Sequence, residues 1–267
     1  MPKVFIPAIT GAQSTAIAEA MRGAGWEVDG SSRSRNDDPQ ARAAGADALI
    51  LTIPQDHRSG AMVDFVDSWV NSARIGGVGR IVLNVGGTPG PAEAHPFFAD
   101  LHASQDRVVA SGLPYVILQP TVYFDNLAAP WAAEGLAGGV IAYPAAPEAE
   151  VSWLSHRTLG AWVAAVVDGA ADGRILSIGG PEPLTGAALA REIGAVVGRE
   201  MRYEPIPPAA FADGMNAAMG APAGDRLASI YARLADHPSS MRVDPAEASR
   251  LGVDLETARS FAARVLA

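Results

Sequence analysis

Lys3-Val4-Phe5-Ile6-Pro7-Ala8-Ile9-Thr10-Gly11-Ala12-Gln13-Ser14 is the stretch on which the fold turns. Val4, Phe5 and Ile6 suit a strand, Pro7 ends it, and a helical pattern then runs over about 14–24 through Ala16, Ala20 and Met21. A strand, a tight turn and a helix open a βαβ unit. A glycine-rich turn at this place aims backbone N–H groups and a helix N-terminus at a pyrophosphate. Here the turn reads Ala8-x-x-Gly11-x-x-Ser14 and keeps only the middle glycine. Alanine and serine still allow close approach, but a position requiring positive φ would strain Ala8. A tight turn that holds no ligand fits the same residues.

Outward from this unit, short apolar runs recur at Glu27–Gly30, 48–53, 80–85 and 115–119, with helical patterns near 59–73 and 97–111 between them. Alternation of this kind predicts an α/β, doubly wound parallel sheet of Rossmann type. The unbroken apolar character of 48–53 and 80–85 suits strands covered on both faces. A sixth strand is expected at Arg174–Ile178, after a helix near 155–168. Prolines 181, 183, 205, 207, 208 and 222 then punctuate helical pieces. The clearest is 185–197, with Thr185 as cap, Leu189, Ile193 and Val196 on one face, and Gly198 past its end. The expected division is a dinucleotide-binding core over 1–180, with part of 123–150 contributing to the cleft, and a small, mainly helical substrate lobe over 181–267.

Ser31-Ser32-Arg33 falls about 20 residues beyond Gly11, where NAD-preferring sites place an acid on the ribose 2′-OH. Hydroxyls and a guanidinium suit a 2′-phosphate instead, so NADP(H) is favoured over NAD, with Arg35 nearby. The same arginines also suit a plain solvated loop.

Three stretches resemble atypical short-chain dehydrogenases of the NmrA-like family. One is 3–17. The most specific is Ser111-Gly-Leu-Pro-Tyr-Val-Ile-Leu-Gln-Pro-Thr-Val-Tyr-Phe-Asp-Asn-Leu127, similar to that group's SGLPYTILRPGFFMENL. The third is Ile178-Gly-Gly-Pro-Glu-Pro-Leu-Thr185 with the helix after it. The resemblance implies a Rossmann fold, NADP(H) and a small-molecule substrate in a cleft between core and lobe. It implies that Ala8, Thr10, Gly11, Ala12, Gln13 and Ser14 face the pyrophosphate and Arg33 the 2′-phosphate. Thr52, Ile53 and Pro54 then lie along the adenosine, and Asn84, Val85 and Gly86 flank the nicotinamide ribose. Gln119, Pro120, Thr121 and Val122 sit beside nicotinamide and substrate.

Departures from the family are equally specific. Ala8 and Ser14 replace its first and third turn glycines, and Gln119 replaces the arginine of its Leu-Arg-Pro. No Tyr-x-x-x-Lys occurs, because Lys3 is the single lysine. That pair ordinarily handles the proton and holds the ribose. The lysine many members carry on the helix before Ser-Gly-Leu-Pro falls near Leu101-His102, which makes His102 a candidate acid or base. Tyr123 is a second candidate proton donor. Thr88, in the loop Gly86-Gly-Thr-Pro-Gly90, and Trp131 are candidate substrate contacts; ordinary loop and core roles suit both residues too.

Composition bounds the partners. A net charge of −9 argues against nucleic acid, and the absence of cysteine excludes disulfides and thiolate sites. No histidine pairs at metal-ligand spacing, so no metal is expected. No apolar run approaches the roughly 20 residues of a membrane span, and the N-terminus has no signal-peptide shape, so a cytoplasmic protein with no membrane partner is expected. A homodimer is left open. Three functions fit: an NADP(H)-dependent oxidoreductase of a small carbonyl, enone or quinone-like substrate; a non-redox isomerase, cyclase or lyase on the same frame; and a non-catalytic NADP-binding regulator.

Overall fold

A computed structural model describes residues 1–32, 38–54 and 58–267. The candidate Arg33, with Arg35 and His57, lies outside them. In chain order the regular elements are β1 (Lys3–Ile6), α1 (Ala12–Gly23), β2 (Glu27–Gly30), α2 (Pro39–Ala43), β3 (Ala48–Thr52), α3 (Ala61–Ile75), β4 (Ile81–Asn84), α4 (Pro96–Val109) and β5 (Tyr115–Pro120). There follow α5 (Ala133–Ala137), β6 (Val140–Tyr143), α6 (His156–Val166), β7 (Arg174–Ile178), α7 (Gly186–Val197), β8 (Arg202–Pro205), α8 (Pro208–Met219), α9 (Ala223–Asp236), α10 (Ala246–Leu251) and α11 (Ala258–Val265).

The chain divides into two units. The first comprises Met1–Pro120, His156–Ile178 and Ala248–Asp254. It holds the expected sheet, six strands in the order β2-β1-β3-β4-β5-β7, every pair parallel. Strands β3 and β4 read as apolar runs because they are central: Ala48 to Leu51 and Ile81 to Asn84 are all buried. Strand order reverses between β1 and β3, so their carboxyl ends form the switch point where ligands of open α/β sheets bind. Helix α1 buries Ile17, Ala18 and Met21, and α6 crosses it at Gly160. A Cβ at 160 would stand 2.8 Å from the Ala16 carbonyl oxygen and 2.9 Å from the Ala20 methyl, so this crossing requires glycine.

The second unit comprises Thr121–Ser155, Gly179–Glu247 and Leu255–Ala267. This differs from the single boundary expected at residue 180. The physical reason is where apolar side chains go. Phe124, Leu127, Ile141, Tyr143, Val151 and Trp153 share one core with Leu189, Ile193 and Phe261. Segment 121–155 therefore belongs with the C-terminal residues, while α6 and β7 return to the first unit. The second unit is also not built from helices alone: β6 and β8 pair in parallel as a two-stranded sheet, Val140 opposite Arg202 through Tyr143 opposite Pro205. Helix α7 is capped as its sequence predicts, the Thr185 hydroxyl accepting from the Ala188 N–H at 3.3 Å and Gly198 ending it at φ +71°.

Candidate functional site: the switch point of the first unit

The turn after β1 is the centre of the site. Ala8 sits at φ +52°, the one non-glycine described residue in the left-handed region. The strain anticipated from the lost glycine is therefore present, and strain of this kind clusters at ligand sites. Two bonds from the end of β2 hold the turn: the Ala8 N–H donates to Ser31 Oγ at 3.2 Å and the Ile9 N–H to the Ser31 carbonyl at 2.9 Å. A third closes it, Gly11 N–H to the Ala8 carbonyl at 2.9 Å. Gly11 is the retained glycine for a steric reason: a Cβ there would press to 3.3 Å on the Ala8 oxygen. Ser14, in place of the third glycine, is buried where the helix meets the sheet.

Gly11 is also the N-cap of α1 and offers no side-chain acceptor. First-turn N–H groups have no partner within a helix, and the dipole makes that end positive. Ala8, Thr10, Gly11 and Ala12 are exposed around it, while Pro7 is buried. Gln13 is drawn sideways: its Oε1 accepts from Asn84 Nδ2 at 2.7 Å.

Asn84, at the end of β4, is fully buried and joins three elements. Besides Gln13, its Nδ2 reaches Thr52 Oγ1 of β3 at 3.5 Å, and its Oδ1 accepts from the Gly86 N–H at 3.0 Å. Expected to flank a ribose, Asn84 ties α1, β3 and the loop after β4 together. Ile53 and Val85, next to these bonds, are buried; Pro54 is half-buried.

The loop 86–90 is held at both ends. Gly86 turns at φ +75°. The Thr88 hydroxyl donates to the Pro120 carbonyl at 3.0 Å, and the Gly90 carbonyl accepts from His102 Nε2 at 2.9 Å. A carbonyl can only accept, so Nε2 carries the proton. That proton is committed to the loop, and His102 stands here as the loop's anchor on α4. Gln119 is likewise committed: its Nε2 donates to Gln105 Oε1 at 2.8 Å, and buried Gln105 donates to the Leu101 carbonyl at 3.2 Å. Sequence reasoning missed Ser31 as a brace and Gln105 altogether; a hydroxyl at the end of β2 and a glutamine on a helix's apolar face were the available signals.

Four further candidates lie in the second unit. The Thr121 hydroxyl donates to the Ser152 carbonyl, and Val122 is packed in that unit's core. Tyr123 is buried and bridges Leu154 in parallel. Trp131 is 44% exposed and tilted against Tyr143, ring centroids 6.1 Å apart. Among the described residues no group of three or more His, Asp or Glu is placed to hold a metal, and no helix is long and apolar enough to cross a membrane.

A doubly wound parallel sheet with an uncapped helix at its switch point defines the Rossmann-like class of α/β proteins. Residues 81–255 match the model of the NmrA-like family, and the chain belongs to that family. Prestalk A differentiation protein A of Dictyostelium discoideum is 31% identical over 105 residues, 39% of this chain and 35% of the relative. An NAD(P)H azoreductase of Xenophilus azovorans is 27% identical over 138 residues, 51% of this chain and 48% of the relative. The matches thus span half or less of these relatives' lengths.

Solved structures match over nearly the whole chain. A nucleoside-diphosphate-sugar epimerase from Staphylococcus aureus has TM-score 0.80 at 18% identity, covering 98% of this chain and 100% of that one. Citrobacter sp. triphenylmethane reductase complexed with NADP(H) has TM-score 0.77 at 17% identity, covering 98% and 99%. An Escherichia coli NADPH-dependent quinone oxidoreductase complexed with NADPH has TM-score 0.74 at 18% identity, covering 99% and 100%. At these identities the likeness is one of fold.

Proposed function

We propose that the protein is an NADP(H)-dependent reductase of a small conjugated acceptor: a carbonyl, enone or quinone-like molecule. The observation that carries the reading is the β1–α1 turn, where a left-handed Ala8 and an uncapped helix end leave small, exposed residues at the switch point. A diphosphate suits that place, because an anion satisfies first-turn N–H groups and the positive end of the dipole together. The Gln13–Asn84 bond commits the Gln13 amide oxygen to β4. Thr10, Gly11 and Ala12 would hold the pyrophosphate and Thr52 and Pro54 would border the adenosine; Arg33 would meet the 2′-phosphate.

Bound there, the nicotinamide supplies or takes a hydride. The chain's own contribution is orientation, through the Asn84 bonds and the anchored 86–90 loop. With a single lysine and the His102 Nε2 proton already engaged, this chain suits an acceptor whose conjugation takes up negative charge without a dedicated acid. The azoreductase, triphenylmethane reductase and quinone oxidoreductase names among its relatives and fold neighbours support that class.

The test is a fluorescence titration with NADPH, followed by NADPH oxidation across enones, quinones, aldehydes and azo dyes. Ala12→Asp separates binding from folding. Ala12 is exposed in the first turn of α1, where a carboxylate suits the positive end of the dipole, so thermal stability should hold, while its charge at the diphosphate should weaken NADPH at least about ten-fold, about 1.4 kcal/mol. Absence of NADPH binding by the parent protein overturns the proposal, and binding without turnover reduces it to a nucleotide-binding role.

A further inference from the structure

The second unit contains a hydrogen-bond network of one amide and two phenols. Asn126 Nδ2 donates to the Tyr143 hydroxyl at 2.9 Å, and the hydroxyls of Tyr143 and Tyr231 lie 2.8 Å apart. Two phenols bring two protons, and only one can lie between their oxygens. Because Asn126 donates into Tyr143, the cooperative arrangement has Tyr143 donating onward to Tyr231. The Tyr231 proton is then the loose end of the chain, and among the described residues no acceptor stands within reach of it. Tyr203, the third phenol nearby, is spent on the Ala145 carbonyl at 2.7 Å. Tyr143 is 1% exposed and Tyr231 8%, so this is a nearly buried donor, a group that ordinarily has a partner. Burial and the Tyr231 bond both push the Tyr143 phenol well above its ordinary value, which agrees with Tyr143 as the donor of the pair.

The surroundings say what kind of molecule would accept from it. Phe211 meets Tyr231 edge-on with centroids 5.3 Å apart, and the exposed indole of Trp131 is tilted over Tyr143. Such faces and edges favour a flat conjugated ring. No cation or carboxylate takes part in the network, which points to a neutral acceptor.

We infer that the second unit carries a binding site for a planar aromatic carbonyl compound, its oxygen accepting from the Tyr231 hydroxyl and its ring resting beside Trp131. The inference is independent of nucleotide binding. It is tested without nucleotide, by ligand-observed NMR titration of acetophenone and of α-methylstyrene, which replaces the oxygen with a methylene of similar shape. The native protein should bind the ketone roughly ten-fold more tightly than the hydrocarbon. In Tyr231→Phe the ratio should fall towards one, with the hydrocarbon's affinity unchanged. Trp131→Ala, at an exposed position, should weaken both probes alike, and it supplies a second readout if Tyr231→Phe fails to fold. Equal affinities of the native protein for the two probes would overturn the inference, since they would mean that the Asn126 amide accepts from Tyr143 and the network closes on itself. Undiminished ketone preference in Tyr231→Phe would overturn it as well.

Discussion

At the scale of the residue, Ala8 is the most informative position. An alanine in the left-handed region costs roughly 1–2 kcal/mol, and a glycine there returns about 0.4–1 kcal/mol through the freer unfolded chain. Ala8→Gly should therefore stabilise the protein by up to about 1.6 kcal/mol in denaturant unfolding. Ala8→Val should destabilise it by at least about 1 kcal/mol, because branched side chains tolerate positive φ worst. A glycine variant less stable than the parent would mean that the turn does not hold Ala8 at φ +52°. Residue-level reading of the sequence anticipated this strain because the missing glycine is a local fact. It did not reveal the bond between Gln13 and Asn84, which joins side chains 71 positions apart and depends on β4 lying two strands from β1. Nor did it show that His102 and Gln119 spend their polar atoms on Gly90 and Gln105.

At the scale of the element, the six strands of the main sheet were legible because short β-branched or apolar stretches alternate with helical patterns along the sequence. Strands β6 and β8 were not, since each has four residues and only Ile141 and Tyr143 of the eight are buried. In the second unit, α7 and α11 are joined by Glu192 and Arg259, N···O 2.5 Å. The Arg259 hydrogen bond holds the Glu192 carboxyl below its ordinary value. A depressed carboxylate contributes stability above its unfolded value of about 4.5, and that contribution is lost as pH falls through the folded value. Arg259 is 61% exposed, so solvent screens the pair and its contribution is small. Glu192→Gln should remove that small contribution at neutral pH, leave stability below the folded value nearly unchanged, and so flatten the acid side of the profile. A variant with an unaltered slope below pH 4.5 would show that the pair contributes nothing there.

At the scale of the whole molecule, alkaline pH is the sharper probe. Burial raises the phenols of Tyr143, Tyr203 and Tyr231, the last to about 12, from an ordinary value of 10.0. Groups raised in the folded state give stability that is complete below the unfolded value and is lost as pH climbs through the folded ones. Three of the five tyrosines should stay un-ionised above pH 10 in an absorbance titration and release their protons together with unfolding. Gradual ionisation of all five near 10 in the folded protein would contradict the burial described for them. The division into units was the least legible feature of the sequence. Proline density changes near residue 181, but what assigns 121–155 to the second unit is the core its side chains enter, which is a tertiary fact.

That division governs how the molecule is made. The polypeptide leaves the first unit after Pro120, comes back for α6 and β7, departs again, and revisits it at Ala248–Asp254. Each unit thus draws on residues beyond 247. The first waits for Ala248–Asp254, which is synthesised only after most of the second, so the ribosome cannot deliver one finished body before the other begins.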